Sequence, residues 1–283
     1  SLFCCHDEGV ASAFGAATAA ELRAVGVDVD FAPVLDADTN PRNPVIGDRA
    51  FSDDPETAAR LAVAFMKGCL SKGILPVGKH FPGHGDTSAD SHEELPVVRD
   101  AARTLLSREL LPFRRAVRAG IPALMTAHVM YPALDRRFPA TLSRTILRGL
   151  LRGRLRFRGA LFSDALEMKA VADPYGVGDA SVRALSAGCD AVLVCRGEEP
   201  QAEAFERVDR EARESATFRR ALATAARRAG RLRSWAASEA RCPADPRSVG
   251  SLRHRSLAKL LWERWEDTGP ASPAGRSGNI GEG

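Results

Sequence analysis

Aromatic residues make up only 6% of the 283 positions, and the two signs of charge nearly cancel: 40 Lys and Arg against 36 Asp and Glu, a net charge of +4. A nucleic-acid surface wants a basic stripe with interleaved aromatics, so that class is excluded. The arginines crowd into residues 144–158 and 219–233 and are read as solvated helix faces. Six cysteines show no CxxC spacing, which removes the common zinc modules. Cys69, Cys189 and Cys195 sit among apolar neighbours and read as buried small hydrophobes in a reducing compartment. No apolar run is long enough to span a membrane. No G-x-G-x-x-G follows a strand, and no cofactor is expected. The first nine residues lack a charged segment followed by a long apolar one, so a cytoplasmic location is expected. Internal repeats are lacking too.

What is present is alternation. Short apolar, β-rich runs at residues 27–35, 74–77, 123–126, 160–163 and 191–194 are separated by helical patterns at 9–24, 55–72, 99–119, 143–155, 179–187 and 205–235. Ser52 or Asp53 is the expected cap of the second helix. Strands and helices in this order predict a parallel α/β fold. Polar residues recur just past the strand ends: Asp36, Lys79 with His80, His128 and Asp164. That placement predicts a TIM-type (β/α)8 barrel with its chemistry at the C-terminal end of the strands. Residues 1–238 are assigned to this barrel. Residues 239–283 are assigned to a low-complexity tail with one short amphipathic helix at 252–265 and a disordered end at 269–283.

The richest segment is Lys79-His80-Phe81-Pro82-Gly83-His84-Gly85-Asp86-Thr87-Ser88-Ala89-Asp90-Ser91-His92. An aspartate two residues from a histidine can accept one imidazole N–H, fix the tautomer and leave the other nitrogen for proton transfer. The plain alternative for His92 is a surface histidine. His80 and His84 with Asp86 or Asp90 could ligate a metal, but the spacing fits no zinc pattern and Lys79 repels a cation, so no metal is expected. Asp164 reads either as a strand-end nucleophile or as a helix N-cap, and the residue pattern alone favours the cap. Glu167 reads as part of a capping box. Arg49 can hold hydroxyls or a carboxylate, or pair with Asp48 or Asp53. Asp36 is expected to accept backbone N–H bonds at the loop base. His128 is either a core residue or a supporting partner.

Taken together, the motifs resemble glycoside hydrolase family 3, in its β-N-acetylhexosaminidase branch. The matching segments are Asp30-Phe31-Ala32-Pro33-Val34-Leu35-Asp36, Asn40-Pro41, Ile46-Gly47-Asp48-Arg49, Lys79 to Gly85, Asp90-Ser91-His92, Met125-Thr126-Ala127-His128, Pro139-Ala140-Thr141-Leu142-Ser143 and Phe162-Ser163-Asp164. The resemblance implies retaining hydrolysis of terminal β-linked N-acetylglucosamine, from peptidoglycan fragments. It makes Asp164 the nucleophile and His92 the general acid/base oriented by Asp90. Lys79, His80 and Arg49 then bind the sugar. The partner is a small saccharide or muropeptide, and a monomer is expected. The family's Asp-x-Glu-Gly-Gly segment has only a faint echo in His6-Asp7-Glu8-Gly9-Val10. The barrel is therefore expected to be incomplete at its N-terminus. Two rival readings follow: a phosphorylase on the same scaffold, and a sugar-binding remnant without turnover.

Overall fold

A computed structural model describes residues 7–88, 90–91, 94–239 and 245–268. The chain opens with α1 (Glu8–Ala24), whose N-terminal amides of Gly9 and Val10 donate to Asp7 at 2.7 and 3.1 Å. Then follow β1 (Val29–Asp30), α2 (Pro55–Leu70), β2 (Leu75–Phe81), α3 (Ala102–Ser107), α4 (Leu110–Arg118) and β3 (Ala123–Thr126). A π-helical segment (Thr145–Arg154) leads to β4 (Ala160–Ala165), α5 (Lys169–Tyr175), α6 (Val177–Ala187) and β5 (Ala191–Leu193). The long helices α7 (Glu198–Glu214) and α8 (Ala216–Glu239) and the terminal α9 (Leu252–Thr268) complete the chain.

Among the described residues there are five strands, all parallel and paired in chain order, β1-β2-β3-β4-β5. Consecutive parallel neighbours joined by helices are the arc of a (β/α)8 barrel, five strands of the eight that close one. The five strand positions read from the sequence each hold a strand. One face of the arc packs on helices: Leu124, Leu161, Ile74 and Phe81 join Leu61, Phe65, Phe113 and Leu147 in the main core. The inner face carries Leu75, Val77, Ala123, Met125 and Ala160, packed with Phe162 and Leu193. Leu232 and Trp235 of α8 lie across that face.

Close packing of α1 on α2 depends on two glycines. A Cβ on Gly15 would stand 2.2 Å from the Phe65 carbonyl oxygen, and one on Gly68 would stand 2.1 Å from the Ser12 oxygen. Both backbones approach nearer than any side chain allows.

Several expectations are corrected. The helix at 99–119 is two helices. Pro112 has no N–H to give to the carbonyl of Arg108, so a fresh helix starts at Leu110 with Pro112 in its first turn. The cap of α2 is Asp54, which accepts from Thr57 N at 2.9 Å; Ser52 instead accepts from Asp54 N at 3.1 Å. Asp164 caps nothing, because it lies within β4 and the next helix starts at Lys169. Glu167 makes no capping box; it accepts from Cys195 N at 2.8 Å. Cys195 is exposed, since β5 ends two residues earlier. Most of the arginines are solvated as read, but Arg152 and Arg228 are not: both are committed to Asp190. Residues 269–283 lie outside the described residues. No described helix is long and apolar enough to cross a membrane.

Candidate active site

The inner-face alternation of β2 places Leu75 and Val77 below Lys79, and that of β4 places Ala160 and Phe162 below Asp164. Lys79 and Asp164 therefore meet at the C-terminal end of the strands. Near that end β2 bulges: Gly78 to Phe81 spans three steps while its partners Leu124 to Thr126 span two. Bulges re-aim side chains beside active sites. Here both Lys79 and His80 act electrostatically on Asp164, while Phe81 returns to the helix layer against Phe113.

Asp36 organises the base of the site. It is 1% exposed and accepts three hydrogen bonds: from His80 N at 3.0 Å, from His84 N at 2.7 Å and from His80 Nδ1 at 2.7 Å. Burial pushes its carboxyl up, but His80 and His84 outweigh this and hold it below the usual range. The backbone role read from the sequence is present, and the bond to the His80 ring is added to it.

Asp164 is half-buried and accepts from Ala165 N at 2.8 Å. Burial raises its affinity for a proton, but His80, His128, the Ala165 amide and Lys79 together lower it below the ordinary carboxylate value. The group stays an anion. Lys79 is pushed down by burial and by Arg49, against the pull of Asp164, Asp30 and Asp36. Arg49 stands in an exposed turn, where it donates to the Val45 carbonyl at 3.1 Å. His128 is fully buried between Thr141 Oγ1 at 2.7 Å and the Ala165 carbonyl at 3.0 Å, so it supports the end of β4.

The loop after β2 is held by groups with no predicted role. Asn43 Nδ2 donates to the carbonyls of His84 at 2.9 Å and Gly85 at 2.8 Å, while its Oδ1 accepts from Val45 N and Ile46 N. The Tyr131 hydroxyl donates to the Gly83 carbonyl. Gly85 admits no side chain, since its Cβ would fall 1.7 Å from the Ala37 oxygen. The signals were thin. Asn43 stands between Pro41 and Pro44, a turn signature, and Thr141 lay in a quoted motif without a function of its own.

His84 Nδ1 contacts Thr87 Oγ1 at 2.8 Å, and its Nε2 lies 3.4 Å from Ser91 Oγ. Asp90 is half-buried next to Ser91. His92 lies outside the described residues. The structure thus brings Asp164, Lys79, His80 and Arg49 into one electrostatic neighbourhood.

Burial first, and then His80, pushes His84 from 6.5 down to about 4, against the pull of Asp36. Between those two values the unfolded chain takes up a proton that the folded chain refuses. Stability is full above pH 6.5 and falls as the pH drops toward 4, by about 3 kcal/mol. His128, also pushed down by burial, acts in the same direction. Urea midpoints at neutral and mildly acid pH check this, and His84→Gln should lose less between them.

The model of the glycosyl hydrolase family 3 N terminal domain matches residues 5–229. A beta-hexosaminidase of Nitrosomonas eutropha is 45% identical over 186 residues, covering 66% of this chain and 53% of that protein. The chain spans about half the length of such curated relatives. The structure of a glycoside hydrolase family 3 beta-N-acetylglucosaminidase from Paenibacillus sp. str. FPU-7 superposes with a TM-score of 0.87 at 37% identity, over 93% of this chain and 51% of that one. A beta-glucoside phosphorylase superposes with a TM-score of 0.85 at 25% identity, over 92% of this chain and 49% of that one. With a family match across most of its length, the chain belongs to glycosyl hydrolase family 3.

Proposed function

We propose that this chain carries the machinery of a retaining β-N-acetylhexosaminidase that removes terminal N-acetylglucosamine from cell-wall saccharides. One observation carries the reading: Asp164 is presented at the C-terminal end of β4 and kept ionised by His80, His128 and Lys79. A nucleophile must be an anion before attack and a good leaving group after it, and a lowered proton affinity serves both. In the first step the Asp164 carboxylate attacks the anomeric carbon while the His92 imidazolium gives its proton to the departing oxygen. In the second, neutral His92 takes a proton from the water that attacks the glycosyl ester, and Asp164 is released. Two displacements at one carbon retain the configuration. Asp90 accepts the other N–H of His92 and fixes its tautomer. Lys79, His80 and Arg49 hold sugar hydroxyls. The relatives named as beta-hexosaminidases and as a beta-N-acetylglucosaminidase support this substrate class.

An aryl β-N-acetylglucosaminide tests the reading. The expected result is phenol release, with the β-anomer of the free sugar appearing first by proton NMR. Release that requires phosphate and yields a sugar 1-phosphate assigns the chain to phosphorolysis, the chemistry named for one structural neighbour. Saccharide binding without turnover assigns it to a binding role.

A further inference from the structure

A cavity of about 520 Å³ opens at the other end of the strands. Its wall includes Cys189 and Asp190, which precede β5, and Arg152, which donates to the Gly159 carbonyl just before β4 at 2.5 Å. The sequence places Arg144, Arg148 and Arg152 at four-residue spacing along and just before the π-helical segment. From α8 come Arg220 and Arg228.

The acid on the floor is already compensated. Asp190 Oδ2 takes Arg152 at 2.6 Å and Leu161 N at 3.0 Å, and Oδ1 takes Arg228 at 3.0 Å. Glu211, the other acid on the wall, is held by Arg207 at 3.0 Å. The rim differs. Arg144, Arg148 and Arg220 are exposed and have no carboxylate partner among the described residues. Neutral oxygens position two of them: Arg148 donates to the Ser186 carbonyl at 3.0 Å, and Arg220 to Thr217 Oγ1 at 3.2 Å. These bonds aim the guanidinium groups without cancelling their charge. Burial pushes the Arg148 guanidinium down, and Arg144 and Arg228 push the same way, so Arg148 sits in the field of both. An anion between them relieves that repulsion.

We propose that this cavity binds a small phosphorylated anion through Arg144, Arg148 and Arg220, at a site separate from the candidate active site. Guanidinium forks match phosphate oxygens in pairs. Three uncompensated cations suit a ligand with at least two negative charges. The volume lies in the range of small-molecule pockets. A nucleic acid would want a long stripe with stacking aromatics, and the one aromatic on this wall, Phe218, is buried. The proposal does not depend on the glycosidase reading.

Calorimetric titration of the full chain with inorganic pyrophosphate at constant ionic strength tests it. Saturable binding at one site is expected. Arg148→Gln with Arg220→Gln should weaken it about tenfold or more, since each removes a charge-assisted contact. Arg233→Gln, on an exposed part of α8 outside the cavity, should bind as the parent does. Circular dichroism reports whether the double variant is folded; if it is not, exposed Arg144→Gln alone decides by the same criterion. No saturable heat, equal affinity in the folded Arg variants, or a signal that chloride reproduces at the same ionic strength overturns the site.

Discussion

Asp164→Ala should lower turnover of an aryl β-N-acetylglucosaminide on the order of 10⁴-fold or more, the scale on which loss of a catalytic nucleophile acts. The chain should stay folded. Asp164 is half-buried, and it accepts its hydrogen bond from the adjacent Ala165 amide. The Ala165 amide is then free to bond water, and Lys79 and His80 lose one anion but keep Asp36 nearby. A second readout separates chemistry from structure. Azide added to Asp164→Ala should restore aryl release, because the small anion can enter the vacated side and attack the anomeric carbon while the phenolate leaves. The product should be the α-glycosyl azide, inverted once. A variant that keeps near-parental turnover would end the assignment. So would one that loses it without azide rescue while also losing its thermal transition.

Asp36→Ala should be the most destabilising single change at this end of the molecule, by about 3–5 kcal/mol. The carboxylate is 1% exposed and accepts three bonds, so its removal strands the amides of His80 and His84 and the Nδ1 of His80 in a dry interior. A domain has roughly 5–15 kcal/mol in total, so about a fifth or more of the stability is at stake. Asp36→Asn keeps one acceptor oxygen and should fall between the two. Urea unfolding at neutral pH measures both. If Asp36→Ala loses less than about 1 kcal/mol, the typical worth of one ordinary hydrogen bond, the loop base is organised by something else. Activity should fall with stability in this variant, because His80 and the following loop share the same anchor.

The architecture was legible in the sequence because burial writes itself as periodicity. Five apolar runs bounded by turns became five parallel strands, and the polar residues past their ends lie at one end of the sheet. Asp164 was ambiguous for a definite reason. A strand-end acid and a helix cap differ only in where the next helix begins, and Lys169 is too far along the chain for Asp164 to cap it. Tyr131 and Thr141 were hidden because each acts on partners thirteen or more residues away, and Asn43 shows locally only its turn, while its bonds to the His84 and Gly85 carbonyls cross some forty residues. The Asp190 clamp was hidden for the opposite reason. Arg152 and Arg228 sit in runs of similar arginines, and only the fold selects which two turn inward. Nothing in the arginine-rich pattern of α8 announced that Leu232 and Trp235 would lie over the inner face of the sheet.

The bulge in β2 has a consequence for how this chain tolerates change. Strict alternation would send neighbours Lys79 and His80 to opposite sides, leaving one of them among the helices. One additional step on β2 against β3 resets the rhythm. It delivers two successive cationic or titratable groups to the side of Asp164 and then gives Phe81 back to the hydrocarbon side. Removing a single residue upstream of Lys79 would therefore not merely shorten a strand. It would trade places between the greasy and the reactive halves of the same ribbon, whereas a two-residue change would keep the sides and lower the pair by about 6–7 Å.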